Sequence, residues 1–335
     1  VRVAFAVLSR ANWSSVAPVA TLLRREGHGV VLLRGGSALV DRYGAGGLPE
    51  LGPGEYEIRA LVEDGPTETA CLAAAQTGAI LRRERPDWLY VVGDRHEMLG
   101  AAMAGAYEGV PIAHQMGGER SGLIDDRVRD AISALATLHL AATAQASERL
   151  RSFVAGTVVQ TGCPRIDGVR EAVAGEWPLP AEYLLVYVHP ADAGVARATM
   201  SAAVATGLPV RLCWPNADPG SAAVVRELRE HGPDVAAYRA LSPARYALMM
   251  HSCSVLVGNS SSGLREGAWL GVPAVNVGTR QQLRERAANV LDVGLDAGAI
   301  LEAIDAQRAH GRYQRSDLYG DGHAAPRIVA ALGGA

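Results

Sequence analysis

The chain has 335 residues, 49% of them hydrophobic and 5% aromatic, with a formal net charge of -3. That length suits two domains of ordinary size, and the near-neutral balance excludes the strong basic excess of a nucleic-acid binder. All 32 basic residues are arginine, so these residues hold neither a Schiff-base lysine nor a P-loop lysine.

In chain order, "VRVAFAVL" (1–8) is a short apolar run that reads as a buried first strand rather than a signal peptide. "SSVAPVATLLRREG" (14–27) has helical spacing and a glycine stop, and "GVVLLRGG" (29–36) predicts a second strand. "ETACLAAAQTGAILRRERP" (68–86) predicts a helix closed by Pro86, and "DWLYVVGD" (87–94) a strand. "EMLGAAMAGAYEG" (97–109) predicts a helix, and "VPIAHQMGG" (110–118) a strand running into a glycine-rich turn. This alternation implies a parallel sheet with helices on both faces.

The rhythm pauses over 161–182, rich in Gly and Pro, and restarts with strands predicted at 183–190, 208–215, 254–260 and 272–278. Helices are predicted between them at 193–207, 243–253 and 262–271. The expected fold is α/β, with two doubly wound Rossmann-like domains. The first spans 1–165, a linker 166–182, and the second 183–312. A C-terminal helical segment, 313–335, returns to the first domain.

Cys71, Cys163, Cys213 and Cys253 are far apart and form no CxxC pair, which fits a reducing cytoplasm better than a disulfide framework. The nine histidines show no HxxEH or HxH spacing, so no metal is expected. No stretch approaches the ~18 apolar residues of a membrane span, so no membrane partner is expected.

Open parallel sheets bind ligands beyond the carboxyl ends of their strands, and two such domains face to face would place a site in the cleft between them. The "VGNSSSGLREG" turn carries Ser260, Ser261 and Gly263 between a strand and a helix start. Serine hydroxyls and helical N–H groups suit a diphosphate without lysine, and Glu266 in the first helical turn suits ribose hydroxyls. The same serines also fit an ordinary helix cap. Asp94 ends a buried strand and either enters a site or caps the next helix. In "HQMGGERSGLIDDRVRDAI", His114, Glu119, Asp125, Asp126 and Arg129 read as a charged site or as helix stabilisation. His189 ends the first strand of the second domain, where a structural role is the alternative. Arg10 leaves the first strand, placed for a phosphate or for solvent.

Together "VGDRHEML", "HQMGGERSGLIDDRVRDAI", "TGCPRIDGV", "VHP" and "VGNSSSGLREGAWLGVPAVNVGTRQQLRERAANVLDVG" resemble the UDP-N-acetylglucosamine 2-epimerase family, most closely its hydrolysing branch. The likeness spans nearly the whole chain in order, and 258–294 is its most specific block. It implies a glycosyltransferase-B-like fold, a UDP-sugar as substrate without a separate cofactor, and a homodimer. The implied reaction releases UDP from C1 with proton loss at C2, then hydrates the glycal to the 2-epimeric free sugar. The resemblance implies catalytic roles for Asp94 and Asp125, with Arg129 and His189 near the substrate; His114 is what remains of the family's H-x-E pair, and in the altered-sugar reading Glu119 shares the proton work with Asp94 and Asp125. It also implies diphosphate contacts from Arg10, Ser260 and Ser261, ribose contact from Glu266, and a site role for Arg280.

The departures lie on the sugar side. The family's H-x-E motif reads His114-Gln115-Met116 here. A first loop resembling R-A-D-Y-S-K reads Arg10-Ala11-Asn12-Trp13-Ser14-Ser15, Ser37-Ala38 stands where a histidine follows serine, and an Arg-His pair reads Arg129-Asp130. Methionine carries no proton, and losing one acid–base group typically costs about 10² to 10⁴ in rate. Three readings follow: a hydrolysing 2-epimerase of an altered sugar, a sugar transferase or simple C1 hydrolase, and a non-catalytic nucleotide-sugar binder.

Overall fold

A computed structural model describes residues 1–39, 54–62, 65–175, 182–190, 193–215, 220–231, 235–239 and 241–334; the side chains of Ser37, Ala193 and His231 lie outside that description. It forms two compact units, the first from the described residues of Val1–Asp41, Leu48–Gly168 and Gly320–Ala335, the second from those of Val169–Tyr319.

The first unit holds strands β1 (Arg2–Val7), β2 (Gly29–Gly35), β3 (Glu55–Ile58), β4 (Trp88–Val92), β5 (Ile112–Gln115), β6 (Leu138–Ala141) and β7 (Thr157–Gln160). Their order is β3-β2-β1-β4-β5-β6-β7 and every neighbour is parallel. Helices α1 (Arg10–Arg25), α2 (Pro66–Glu84), α3 (His96–Tyr107), α4 (Asp125–Leu135) and α5 (Ala144–Arg151) connect them. Nearly continuous apolar strands such as "AFAV" and "LYVV" are buried along their length, as strands covered on both faces must be. The core packs Ala4, Ala6, Leu33, Leu89, Val91 and Ile112 against Met98, Ala101 and Ala102 of α3.

The 166–182 stretch, expected as a linker, begins helical: α6 occupies Pro164–Ala172, and 176–181 lie outside the described residues.

The second unit holds β8 (Leu184–Tyr187), β9 (Val210–Cys213), β10 (Ala236–Tyr238), β11 (Val255–Gly258), β12 (Ala274–Val277) and β13 (Val290–Val293), with helices α7 (Ala193–Ala205), α8 (Ser221–His231), α9 (Pro243–Ser252), α10 (Glu266–Leu270) and α11 (Ala297–His310). The sheet order is β10-β9-β8-β11-β12-β13, again parallel throughout. The helix expected over 262–271 is shorter: 261–265 are turns and only five residues are helical.

The final segment is helical only as α12 (Ala324–Gly334), in the first unit, where it packs on α1. Asp167 accepts hydrogen bonds from the Ala324 and Ala325 N–H groups at 2.9 and 3.1 Å, satisfying donors that a helix start leaves unpaired. Residues 313–323 carry no helix.

Candidate functional site

Each sheet reverses its strand order once, at β1/β4 in the first unit and at β8/β11 in the second. The carboxyl ends at such a reversal leave a crevice for ligand.

In the first unit Gly93, at φ +79°, turns the chain after β4 and places Asp94 at the sheet edge. The buried partner is Arg129 of α4, only 1% exposed, whose Nη2 donates to Asp94 Oδ2. Its Nη1 donates to Asp126 Oδ1 at 2.7 Å and to the Glu119 carbonyl at 2.6 Å. Burial opposes the charge on Arg129, but the fields of Asp94 and Glu119 and the bonds to Asp126 and Asp94 hold it above its ordinary range. Asp126 also accepts from the Ser121 N–H and hydroxyl at 2.7 and 2.8 Å and from the Gly122 N–H at 2.9 Å. Burial pushes that carboxyl up, yet these donors and Arg129 keep it below the usual carboxylate range. The result is a guanidinium fixed as a cation between carboxylates fixed as anions.

His114, on β5, is fully buried. Its Nε2 lies 2.8 Å from the Gly93 carbonyl and its Nδ1 3.0 Å from Ser133 Oγ. The carbonyl can only accept, so Nε2 carries the proton and Nδ1 accepts from Ser133. Burial pushes the imidazole down to about 4. Across the strand pair, His139 is also buried and pushed down to about 4 by desolvation.

Met116 follows β5, 4% exposed, with its N–H on the Leu140 carbonyl at 3.1 Å and φ +67°. Left-handed backbone costs a side-chain-bearing residue about 1–2 kcal/mol relative to the right-handed form. The turn it begins is tight: a Cβ on Gly118 would meet the Ala146 carbonyl at 2.2 Å.

In the second unit the reversal is closed by neutral groups. Asn259 accepts from the His189 N–H through Oδ1 at 2.6 Å and donates from Nδ2 to the His189 carbonyl at 3.0 Å, tying the β8 and β11 ends together. Gly258 precedes it at φ +139°, where a Cβ would strike the Tyr187 carbonyl at 2.2 Å. Ser260 and Ser262 pair through their hydroxyls at 2.9 Å, and Tyr246 lies 2.6 Å from Ser262 Oγ. Burial pushes the Tyr246 phenol well above its ordinary value, so it stays neutral. Arg280 and Gln281 both donate to the Asn259 carbonyl, at 3.3 and 2.9 Å. The His189 ring packs on Tyr187, with centroids 4.4 Å apart.

Of the expected residues, Asp94, Arg129 and the Glu119 backbone come together in one unit, and His189 and Arg280 converge on Asn259, next to Ser260, in the other. Asp125 is half-buried at the start of α4, and Asp126 takes the arginine. Arg10 is the first residue of α1, Ser261 is half-buried in the turns, and Glu266 opens α10 as a buried residue. Gly263 is packed between Leu256 and Ala274. Sequence reasoning passed over Ser133, Tyr246, Asn259 and Gln281, and it named Asp126 without separating it from Asp125. The signal that favours Asp126 is its spacing of three from Arg129 on a helix. Among the described residues no three His, Cys, Asp or Glu side chains gather as a metal set, and no helix is long and apolar enough to cross a membrane.

Residues 55–333 match the family described as UDP-N-acetylglucosamine 2-epimerase. The chain is 35% identical over 274 residues to the UDP-N,N'-diacetylbacillosamine 2-epimerase (hydrolyzing) of Legionella pneumophila, covering 76% of this chain and 72% of that protein. It is 29% identical over 254 residues to the UDP-N-acetylglucosamine 2-epimerase of Neisseria meningitidis, covering 71% and 67%. In fold it matches the crystal structure of Methanocaldococcus jannaschii UDP-GlcNAc 2-epimerase in complex with UDP-GlcNAc and UDP, with a TM-score of 0.83, 14% identity and 99% of each chain covered.

Proposed function

The chain belongs to the UDP-N-acetylglucosamine 2-epimerase family, and from that premise we propose that it is a hydrolysing 2-epimerase acting on a UDP-linked 2-acetamido sugar less polar than N-acetylglucosamine. The observation that carries this is the Arg129 cluster. A buried guanidinium holds Asp94 ionised at the sheet edge, where a carboxylate is available to take a proton from a carbon acid. In the reaction, C2 loses its proton as the C1–O bond breaks and UDP leaves with the bonding pair. The glycal then takes a proton at C2 and a hydroxyl at C1.

The hydroxyl and amide turn of the second unit, from Asn259 to Gly263 with Arg280, suits the diphosphate, because hydroxyl donors and one cation bind a dianion without contributing a base. His114 supports a positioning role: both ring nitrogens are engaged, and it ties Gly93, the residue before Asp94, to α4. On this reading Met116 stands where relatives carry an acid–base carboxylate, and its buried thioether favours a sugar that presents a deoxy carbon or an acyl methyl there. N,N'-Diacetylbacillosamine, the sugar in the name of the Legionella relative, is the first such substrate to test.

The test is incubation with UDP-GlcNAc and UDP-N,N'-diacetylbacillosamine in D₂O, followed by NMR. UDP release with deuterium at C2, faster for the diacetylated sugar, is expected. UDP release without deuterium would leave C1 hydrolysis and overturn the epimerase reading.

A further inference from the structure

A 2-epimerase needs a base to take a proton from C2 and an acid to return one on the other face. The Arg129 cluster supplies only bases, because Asp94 and Asp126 are ion-paired and anionic. Neutral Met116 supplies nothing. His114 and His139 are sealed in the sheet. His28, beside the N-terminal amine at the start of β2, lies at the opposite end of the strands, and His323, next to Asp321, precedes α12. Among the described histidines of this unit, His96 alone stands at the carboxyl edge and is accessible.

His96 is the first residue of α3, two residues after Asp94, and its side chain is 28% exposed. Glu97 behind it is 2% exposed. Its Oε1 accepts from Arg95 Nε at 2.5 Å. Its Oε2 has no hydrogen bond and lies 3.1 Å from His96 Nε2. Arg95 already gives this carboxylate a cation, and His96 Nε2 is the second group set against it, so the ring is held by its Nε2 edge and Nδ1 lies on the far side of the ring. The other charged groups around the start of α3 are Asp94 and Arg95 before it, Glu68 in the first turn of α2, and Asp125, Asp126 and Arg129 in the first turns of α4.

We propose that His96 is the general acid of this site, that Glu97 positions it as the imidazolium, and that it returns the proton to C2 of the glycal. The inference rests on the 2-epimerase reading. The Nδ1–H bond of His96 breaks and a C2–H bond forms with the electron pair of the C1=C2 double bond. Asp94 has by then passed the proton taken from C2 to solvent, so as the water oxygen bonds to C1 its surplus proton passes to a carboxylate that is ionised again. Solvent then restores both groups. This acid stands on the chain segment of Asp94, not on the segment where relatives carry the carboxylate that Met116 replaces.

The experiment compares wild type with His96→Gln and Glu97→Gln on the best substrate from the D₂O screen. In His96→Gln, UDP release continues but the glycal accumulates, and free sugar forms on the order of 10²-fold more slowly or worse. The affinity for UDP, read by calorimetry, stays at the wild-type value and confirms that the variant is folded. In Glu97→Gln the pH profile of free-sugar formation moves to lower pH, because the charged imidazole has lost its carboxylate partner. The NMR signal of the His96 ring, identified by its absence in His96→Gln, is that of an imidazolium at neutral pH. Free sugar formed by His96→Gln at the wild-type rate, or a neutral His96 ring in an active wild type, overturns the acid assignment and leaves the 2-epimerase reading standing. A wild type that turns over neither nucleotide sugar overturns both.

Discussion

The two sheets share the strand order of a doubly wound fold and differ in what stands at the carboxyl ends where that order reverses. In the first unit those ends carry Asp94, Asp126 and Arg129, an ion-paired set around a nearly buried guanidinium that also donates to the Glu119 main-chain carbonyl. In the second they carry Asn259, Ser260 and Ser262, joined by neutral hydrogen bonds. Backbone topology therefore gives both sheets the same kind of crevice, and side-chain chemistry makes the two unlike. Fixed carboxylates suit moving protons, while hydroxyls and amides suit receiving an anion without becoming bases themselves.

The sharpest way to break this contrast is Arg129→Met. Removing one member of a buried ion-paired set strands the others, and a loss of about 3–5 kcal/mol is expected. Denaturant unfolding of Arg129→Met beside the Asp94→Asn, Asp126→Asn, Arg129→Met triple variant checks it. The triple variant should recover much of the stability and none of the activity. A single variant as stable as wild type would mean that the charges are not interdependent.

Acid should separate the two regions next. His114 and His139 have folded values of about 4 against 6.5 unfolded, and Asp126 is held low. A histidine whose folded value is depressed binds its proton only when unfolded, so stability falls as pH drops from 6.5 towards 4. For His114 alone this is on the order of 3 kcal/mol. Asp126 has the same sign, its contribution being lost as pH falls through its folded value. In the second unit His251 is lowered too, by burial and by Arg312, but it is half-buried and its shift is smaller. Hydrogen exchange at pH 5 should show β4, β5 and β6 losing protection before β8 and β11. Uniform loss across both sheets would blur the division.

How much of this was readable from the sequence follows the same division. Strands buried on both faces, such as β1, β4 and β11, announce themselves as apolar runs beside Gly or Asp. Edge and short strands do not: β3 ("EYEI") carries charge, β10 ("AAY") is three residues long, and β7 alternates weakly. Asp94 and Ser260 stood out because charge or hydroxyls at a strand end are unusual, and Arg129 because it follows two aspartates at the start of a helix. Asp125 and Asp126 were indistinguishable in sequence, since which one meets Arg129 depends on the helix face, set by where α4 begins. Asn259 was invisible because an Asn after a strand looks like any turn residue. Its role as a tie between two strand ends 70 residues apart exists only in three dimensions.

Asn259→Leu tests that tie. It leaves the His189 N–H and carbonyl without their partner in a buried setting, a loss of about 1–3 kcal/mol. Affinity for UDP, read by calorimetry, should fall with it, because the lost side-chain tie no longer fixes the backbone on whose main-chain carbonyl Arg280 and Gln281 are anchored. Unchanged affinity would remove the second unit's turn from the nucleotide site.

The smallest expected effect is the most discriminating. Met116→Glu places a carboxylate at the turn, and if an acid–base group there were all that the first unit's site lacked, turnover should rise by about 10² to 10⁴. The surroundings argue for much less. Position 116 is 4% exposed, so a carboxyl there would be desolvated and driven towards its neutral form, and buried Glu119 in the same loop adds like charge. The φ of +67° at 116 belongs to a turn fixed by the Gly118 contact and by hydrogen bonding to Leu140, and the substitution does not relieve it. A change below about tenfold, or under about 1.4 kcal/mol of transition-state stabilisation, is therefore expected with either sugar. A gain of a hundredfold with UDP-GlcNAc would show that a carboxylate at position 116 can do the proton work, and would count against His96 as the acid.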